Sequence, residues 1–125
     1  MTNRETIIQN YIDGYNEFDI YKMVKDLHET IMFENILNGK TTMSLSGLKA
    51  FKEQAEESKN YFSARTQTIK SYTHQKDETE IEIDYNAVLA IDFSNDLKAG
   101  DELKLTGKSI FTFLGEKIIR LTDIS

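Results

Sequence analysis

The stretch TEIEIDYNAVLAIDF, residues 79–93, decides the fold. Apolar and polar side chains alternate along it almost without interruption, and a period of two predicts a long β-strand with one buried face. The apolar row consists of Thr79, Ile81, Ile83, Tyr85, Ala87, Leu89, Ile91 and Phe93. A second row of this kind follows, made of Leu103, Leu105, Gly107, Ser109, Phe111 and Phe113. We therefore predict that long strands form the second half of the chain.

Turn residues around these rows predict three hairpins. Asn-Gly pairs and short glycine-containing connections favour tight turns between antiparallel strands. The predicted turns are Asn38-Gly39, Lys76-Asp77-Glu78 and Gly115-Glu116. The strands next to them are a first strand that contains Ile31 and Phe33, and the segments 40–43, 64–75 and 117–124.

Helical spacing dominates the first quarter of the chain. The apolar positions three and four apart are Ile7, Ile8, Tyr11, Ile12, Tyr15 and Phe18, and Thr2 with Glu5 fits a capping box before them. Asp19 is predicted to cap a short second helix that His28 closes, since a cation suits the negative end of the helix dipole. Ser46 is predicted to cap a third helix, with Phe51 and Ala55 on its apolar side. Three helices on one face of a curved antiparallel sheet give an α+β fold.

Length and composition exclude several classes of protein. A chain of 125 residues is predicted to form one domain, residues 1–125. It has no cysteine, so disulfides and cysteine-based metal sites are excluded, and its two histidines, His28 and His74, are a poor metal set. A net charge of −6 with scattered lysines offers no nucleic-acid footprint. No leader-like or membrane-spanning apolar run is present, so we expect a cytoplasmic protein with no membrane partner. We also expect no metal and no cofactor.

Three segments carry a resemblance to a known family. They are YIDGYNEFD at 11–19, IMFEN at 31–35 and GEKIIRLTD at 115–123. Together they resemble a SnoaL-like protein of the nuclear transport factor 2-like superfamily, over essentially the whole chain. The resemblance implies a cone, in which three N-terminal helices pack on a strongly curved antiparallel sheet that encloses a pocket. It also implies a homodimer formed through the outer face of the sheet.

The superfamily includes ketosteroid isomerases, limonene epoxide hydrolases, scytalone dehydratases, polyketide cyclases and proteins that only bind or scaffold. The fold alone therefore does not select an activity. In the terms of that resemblance, Asn35 falls where ketosteroid isomerases carry the proton-abstracting aspartate, Ser109 where they carry the acidic hydrogen-bond donor, and Tyr11 where they carry the tyrosine. An amide cannot take a proton from carbon, so isomerisation of that kind is not expected.

The epoxide hydrolases give a second partial match. Asn35 and Asp123 correspond to their water-positioning asparagine and one of their aspartates, whereas Tyr85 and Ala87 stand where an arginine and the second aspartate would be. The water-activating network is therefore incomplete. SnoaL-type cyclases use a single pocket aspartate as acid and base, and Asp123 is the best candidate for that scheme.

The alternation places Asp123 on the same face as Ile119 and Leu121, where loss of solvent would raise its pKa toward neutrality. The alternative is that Asp123 lies in water at the frayed end of the last strand. We expect Asp123 and Asn35 to be catalytic, and the ligand-binding residues to be Tyr11, Tyr15, Phe33, Tyr85, Ser109 and Phe111. The expected partner is a small hydrophobic or aromatic molecule, with general acid/base chemistry of an isomerase, cyclase or hydrolase type. A pure binding protein and a non-catalytic dimeric scaffold remain open, because aromatic rows are often plain core.

Overall fold

The computed structural model describes residues 3–125. Within them the chain forms three α-helices, one short 3-10 helix and six strands. Their bounds are α1 Asn3–Asn16, α2 Ile20–Val24, β1 Leu27–Leu37, β2 Lys40–Ser46, α3 Leu48–Ser58, the 3-10 helix Lys59–Tyr61, β3 Phe62–His74, β4 Glu78–Leu89, β5 Glu102–Leu114 and β6 Lys117–Ile124. The three predicted hairpins are confirmed. Thr2, one half of the predicted capping box, lies outside the described residues.

The six strands form one mixed sheet in the order β2-β1-β6-β5-β4-β3. Every neighbouring pair is antiparallel except β1 and β6, which run parallel. The prediction of an entirely antiparallel sheet is therefore wrong. Local turn residues predict hairpins, but they carry no signal for pairing between the first and last strands of a chain.

The alternation of residues 79–93 correctly identifies the buried face of β4. The side chains of Thr79, Ile81, Ile83, Ala87 and Leu89 are all buried. The strand nevertheless ends at Leu89. There the Leu89 N–H donates to the Asp101 carbonyl and the Gly100 N–H donates to the Leu89 carbonyl, and these two bonds close the β4–β5 connection. Ile91 and Phe93 lie in that connection and are exposed, so the predicted strand was too long by four residues.

The helices cover one face of the sheet, where α1 packs on β3 and α3 packs on β1. The apolar row of α1 is buried through Ile12, and Phe51 and Ala55 of α3 join the same core. Asp19 caps α2 as predicted, since its Oδ1 accepts a hydrogen bond of 3.1 Å from the Lys22 N–H. None of the helices in residues 3–125 has the length and apolarity needed to cross a lipid bilayer.

Two predicted helix ends are wrong. Helix α2 already ends at Val24, so His28 lies in β1, where its Nδ1 is 3.1 Å from the Thr30 N–H. Ser46 is the last residue of β2, and Gly47 occupies the N-cap of α3 with φ of 91°. The chain reverses sharply between β2 and α3, and only glycine adopts that positive φ without strain.

The contact between α1 and α2 depends on Gly14. A Cβ at this position would lie 2.7 Å from the Met23 backbone nitrogen, and its own carbonyl accepts a 2.8 Å hydrogen bond from the Asp19 N–H. The absence of a side chain therefore lets the first turn of α2 lie against the last turn of α1. This contact fixes the end of α1 on which Tyr15 is carried.

We expect Gly14→Ala to destabilise the protein by about 1–3 kcal/mol, because the new methyl group meets backbone rather than a side chain that can rotate away. In a helix without such a contact, the same substitution would stabilise by about 1 kcal/mol. Urea denaturation of the wild type and the variant measures whether the substitution lowers or raises the free energy of unfolding. A more stable variant would show that the two helices do not pack this closely.

Candidate functional site

Three neighbouring strands place polar side chains next to one another on the helix-covered face. Asp123 of β6 is in register with Asn35 of β1 on one side and with Ser109 of β5 on the other. The Ser109 hydroxyl donates a hydrogen bond of 2.7 Å to Asp123 Oδ1, and Ser109 itself is only 3% exposed. The sheet therefore holds the Asp123 carboxyl in a fixed position away from the turns.

Burial raises the pKa of Asp123 from its ordinary value of 3.8 to about 6, and the hydrogen bond from Ser109 opposes part of that rise. The side chain is only partly accessible, and no basic residue in the described part of the chain forms an ion pair with it. A carboxyl in this state exchanges a proton close to neutral pH. That property is what a general acid or base needs.

A cavity of about 190 Å³ adjoins this carboxyl. The polar side chains in its wall include Tyr15, Asn35, Gln67, Tyr85, Ser109 and Asp123. A wider depression of about 650 Å³ shares Tyr85, Leu105, Thr106 and Ser125 with it, and Leu105 is 53% exposed there. Sites for drug-sized ligands usually measure about 300–1,000 Å³, so the inner cavity alone suits a molecule of about one ring.

Two tyrosines from different elements meet in the cavity wall. The hydroxyls of Tyr15, from α1, and Tyr85, from β4, are 2.8 Å apart. Burial raises the pKa of both phenols, so both remain protonated at neutral pH. One of the two hydroxyls donates its proton to the other oxygen. The second hydroxyl keeps its own proton and can donate it to an acceptor in the cavity.

Three of the expected ligand-binding residues do not lie in the cavity wall. Tyr11, Phe33 and Phe111 pack with Phe51 in an aromatic cluster, with Tyr11–Phe111 and Phe33–Phe51 ring centroids each 5.7 Å apart. Tyr11 remains close enough to Asp123 for the carboxylate charge to add to the burial that raises its pKa. These rings fill interior space, and the periodicity of strands and helices does not distinguish side chains that fill the core from side chains that line a cavity.

Asn35 lies in the cavity wall with its amide already engaged. Its Nδ2 donates a 2.9 Å hydrogen bond to Thr42 Oγ1, and the Thr42 hydroxyl donates one of 3.2 Å to the backbone carbonyl of Asn35. This exchange with β2 fixes the side chain beside Asp123. The amide oxygen is then the atom that Asn35 can offer to a donor in the cavity.

Arg65, which was not among the residues predicted from the sequence, points from β3 into the interior. Its guanidinium carbon is 3.8 Å from the centroid of the Tyr15 ring and 4.4 Å from that of Phe18, and its Nε donates a 2.8 Å hydrogen bond to the Tyr15 carbonyl. The side chain is 3% exposed. The signal was the period of two in β3, which puts Arg65, Gln67 and Ile69 on one face.

The histidines do not form a metal site with other residues. Among residues 3–125, no group of three or more His, Asp or Glu side chains is arranged to hold a metal ion. His74 lies at the end of β3, with Nε2 2.7 Å from Glu5 Oε2 and Nδ1 2.9 Å from Thr79 Oγ1. Thr79 is fully buried, so this acid–histidine–hydroxyl row links α1 to the sheet and presents no accessible nucleophile.

The element order and the mixed six-stranded sheet with helices on one face give a fold that is shared with solved structures described as SnoaL-like and nuclear transport factor 2-like. A candidate polyketide cyclase from Xanthomonas campestris pv. campestris superposes with a TM-score of 0.81 at 20% identity, over 99% of this chain and 93% of its own. A candidate SnoaL-like polyketide cyclase from Jannaschia sp. CCS1 gives 0.79 at 9% identity, over 97% and 83%. TerC, crystallised with polyporic acid, gives 0.79 at 16% identity, over 98% and 91%.

The resemblance drawn from the sequence is thus confirmed as a statement about the fold. No protein-family model matches the chain, and no curated protein matches it in sequence. At identities of 20% and below, structural likeness establishes architecture and leaves the activity to be argued from the site.

The Ser109–Asp123 hydrogen bond gives a direct test of the site. Replacing Ser109 with Ala removes a donor that stabilises the charged carboxylate, so we expect the pKa of Asp123 to rise above its wild-type value of about 6. Carboxyl-carbon NMR titration of both proteins measures the two values. An Asp123 pKa near 4 in the wild type, unchanged by the substitution, would contradict the described geometry.

Proposed function

We propose that this SnoaL-like domain binds a small hydrophobic or aromatic molecule in the cavity beside Asp123, and that Asp123 transfers a proton to or from it. The observation that carries the proposal is the Ser109–Asp123 pair at the cavity wall, with a carboxyl whose pKa lies near 6. The crystallisation of TerC with polyporic acid supports a small-molecule partner for the fold.

At neutral pH Asp123 is mostly ionised and is the base of the proposed site. Ser109 holds Oδ1, which leaves Oδ2 to accept a proton from the bound molecule. Negative charge that develops on an oxygen of that molecule is met by the free hydroxyl proton of the Tyr15–Tyr85 pair. The Asn35 amide oxygen orients a hydroxyl or a water. The reaction class is proton transfer next to a polarised bond, as isomerases, cyclases and hydrolases use it.

We extend the proposal to three further features that are expected of the fold family. Sheet curvature would join the inner cavity to the wider depression as one pocket with one mouth. A homodimer would form through the outer face of the sheet, and the protein would act in the cytoplasm. Light scattering at micromolar concentration measures the mass in solution, and a monomer there would remove the dimer from the proposal.

A nitrobenzisoxazole tests the acid/base part of the proposal, because removal of its ring proton by a base releases a coloured phenolate. We expect catalysis that increases with pH, is half-maximal near pH 6 and levels off about one pH unit higher, as the Asp123 carboxyl ionises. Asp123→Asn should lower the rate by about 10²- to 10⁴-fold, the range that one general base contributes.

Asp96→Asn is the matched control, since Asp96 is exposed in the β4–β5 connection and the chemical change is the same. Its rate should equal that of the wild type. Equal rates in all three proteins, or no rate above that of buffer, would contradict the role of Asp123.

The aromatic cluster of Tyr11, Phe33, Phe51 and Phe111 favours a second candidate function, binding without turnover. These rings fill space that a larger substrate would need and leave a cavity of about 190 Å³. Under this alternative the same polar groups only orient the ligand. Binding of a small aromatic probe with no proton transfer would select it over catalysis.

A further inference from the structure

The guanidinium of Arg65 is incompletely paired in the interior of the protein. Its faces lie against the Tyr15 and Phe18 rings, and its Nε is bonded to the Tyr15 carbonyl. Nη1 and Nη2 are buried and have no hydrogen-bond partner among residues 3–125. Buried polar groups in native proteins are nearly always hydrogen-bonded, and charged ones are the most costly to leave unpaired.

The free side of this guanidinium is the one that recognises anions. Nη1 and Nη2 together form the edge that binds a carboxylate through two parallel hydrogen bonds. None of the ion pairs within the described residues involves Arg65. The cation therefore has packing partners and a backbone acceptor, but no anion.

Arg65 lies directly behind the cavity wall. Tyr15, which contacts the guanidinium, and Gln67, two residues along the same face of β3, both line the cavity. The backbone of Gln67 is fixed by Asn16, through hydrogen bonds of 2.8 Å and 3.0 Å. Its side-chain Oε1 is buried and, like the two Nη atoms, has no partner within the described chain. The Gln67 amide can therefore rotate without breaking a hydrogen bond of its Oε1.

The Phe18 ring that contacts the guanidinium is carried by a strained backbone. Phe18 has φ of 59°, a left-handed conformation that a bulky side chain rarely adopts. The turn between α1 and α2 thereby brings the Phe18 ring to the guanidinium. Strained backbone positions of this kind cluster at functional sites.

We propose that Arg65 is the anion-binding residue of the cavity and that the molecule bound there is a small carboxylate. Rotation of the Gln67 side chain opens the path to Nη1 and Nη2 and turns the amide NH₂ toward the same anion. The backbones of β3 and β6 are roughly 14 Å apart across the sheet. The Arg65 and Asp123 side chains shorten that span, since both reach inward and both are near enough to Tyr11 to act on it. The carboxylate group thus lies at Arg65, and the body of the molecule extends toward Asp123. This inference rests on the proposed function, since it names the class of ligand.

Benzoate and benzamide are flat molecules of nearly the same shape, and they differ in charge. We expect benzoate to bind the wild-type protein at least about 10-fold more tightly than benzamide, as measured by calorimetry at neutral pH and low salt. Arg65→Met should abolish this difference while benzamide still binds. Arg120→Met is the matched control, because Arg120 is an exposed arginine that pairs with Glu34, and it should preserve the difference.

If Arg65→Met does not fold, NMR of the arginine side chains in the wild-type protein tests the same contact without a variant. Benzoate should shift the Arg65 Nε–H and Nη–H signals and leave those of Arg120 in place. Equal affinities for the two probes, or Arg65 signals that benzoate does not move, would overturn the inference. Binding of benzamide in that case would leave the proposed function standing, whereas binding of neither probe would contradict the proposed function itself.

Discussion

The parallel pairing of β6 with β1 is the constraint on which the candidate site depends. It places Asp123 beside Asn35, while the antiparallel pairing with β5 places the same residue beside Ser109. A shift of one residue in either register would turn Asp123 to the opposite face of the sheet. Gly107 of β5 allows the end of β6 to lie close against β5, since a Cβ at Gly107 would lie 3.0 Å from the Ile124 carbonyl oxygen.

Two charged groups then lie in the interior without pairing with each other, Asp123 in the cavity wall and Arg65 behind Tyr15 and Gln67. Asp123 is held by one hydroxyl, and Arg65 by two rings and a carbonyl. Both charges act on Tyr11, whose pKa is raised mainly by burial, raised further by Asp123 and lowered by Arg65. The protein would be more stable with a well-packed apolar residue in place of either charged group. Departures of this kind from the rules of core packing concentrate at functional sites.

The sequence predicts the features that depend on neighbouring residues, and it misses those that depend on distant ones. Turn residues locate the hairpins, and the period of two correctly turns Ser109 toward the interior. The same patterns do not reveal the parallel partner of β6, nor that Gly47 rather than Ser46 begins α3. Arg65 was overlooked because an arginine in a weakly alternating strand is usually exposed. Whether Phe111 lines a cavity or fills one depends on side-chain packing across three elements, which periodicity does not encode.

The most direct measurement is the pH dependence of the free energy of unfolding for the wild type and Asp123→Asn. The folded-state pKa of about 6 lies above the ordinary 3.8, so the folded protein loses stability as pH rises between these values. We expect the two proteins to be similarly stable near pH 3.5 and the variant to be more stable at pH 7, by up to about 3 kcal/mol. A difference that stays constant across this range would show that the Asp123 carboxyl is fully solvated, and would contradict the account.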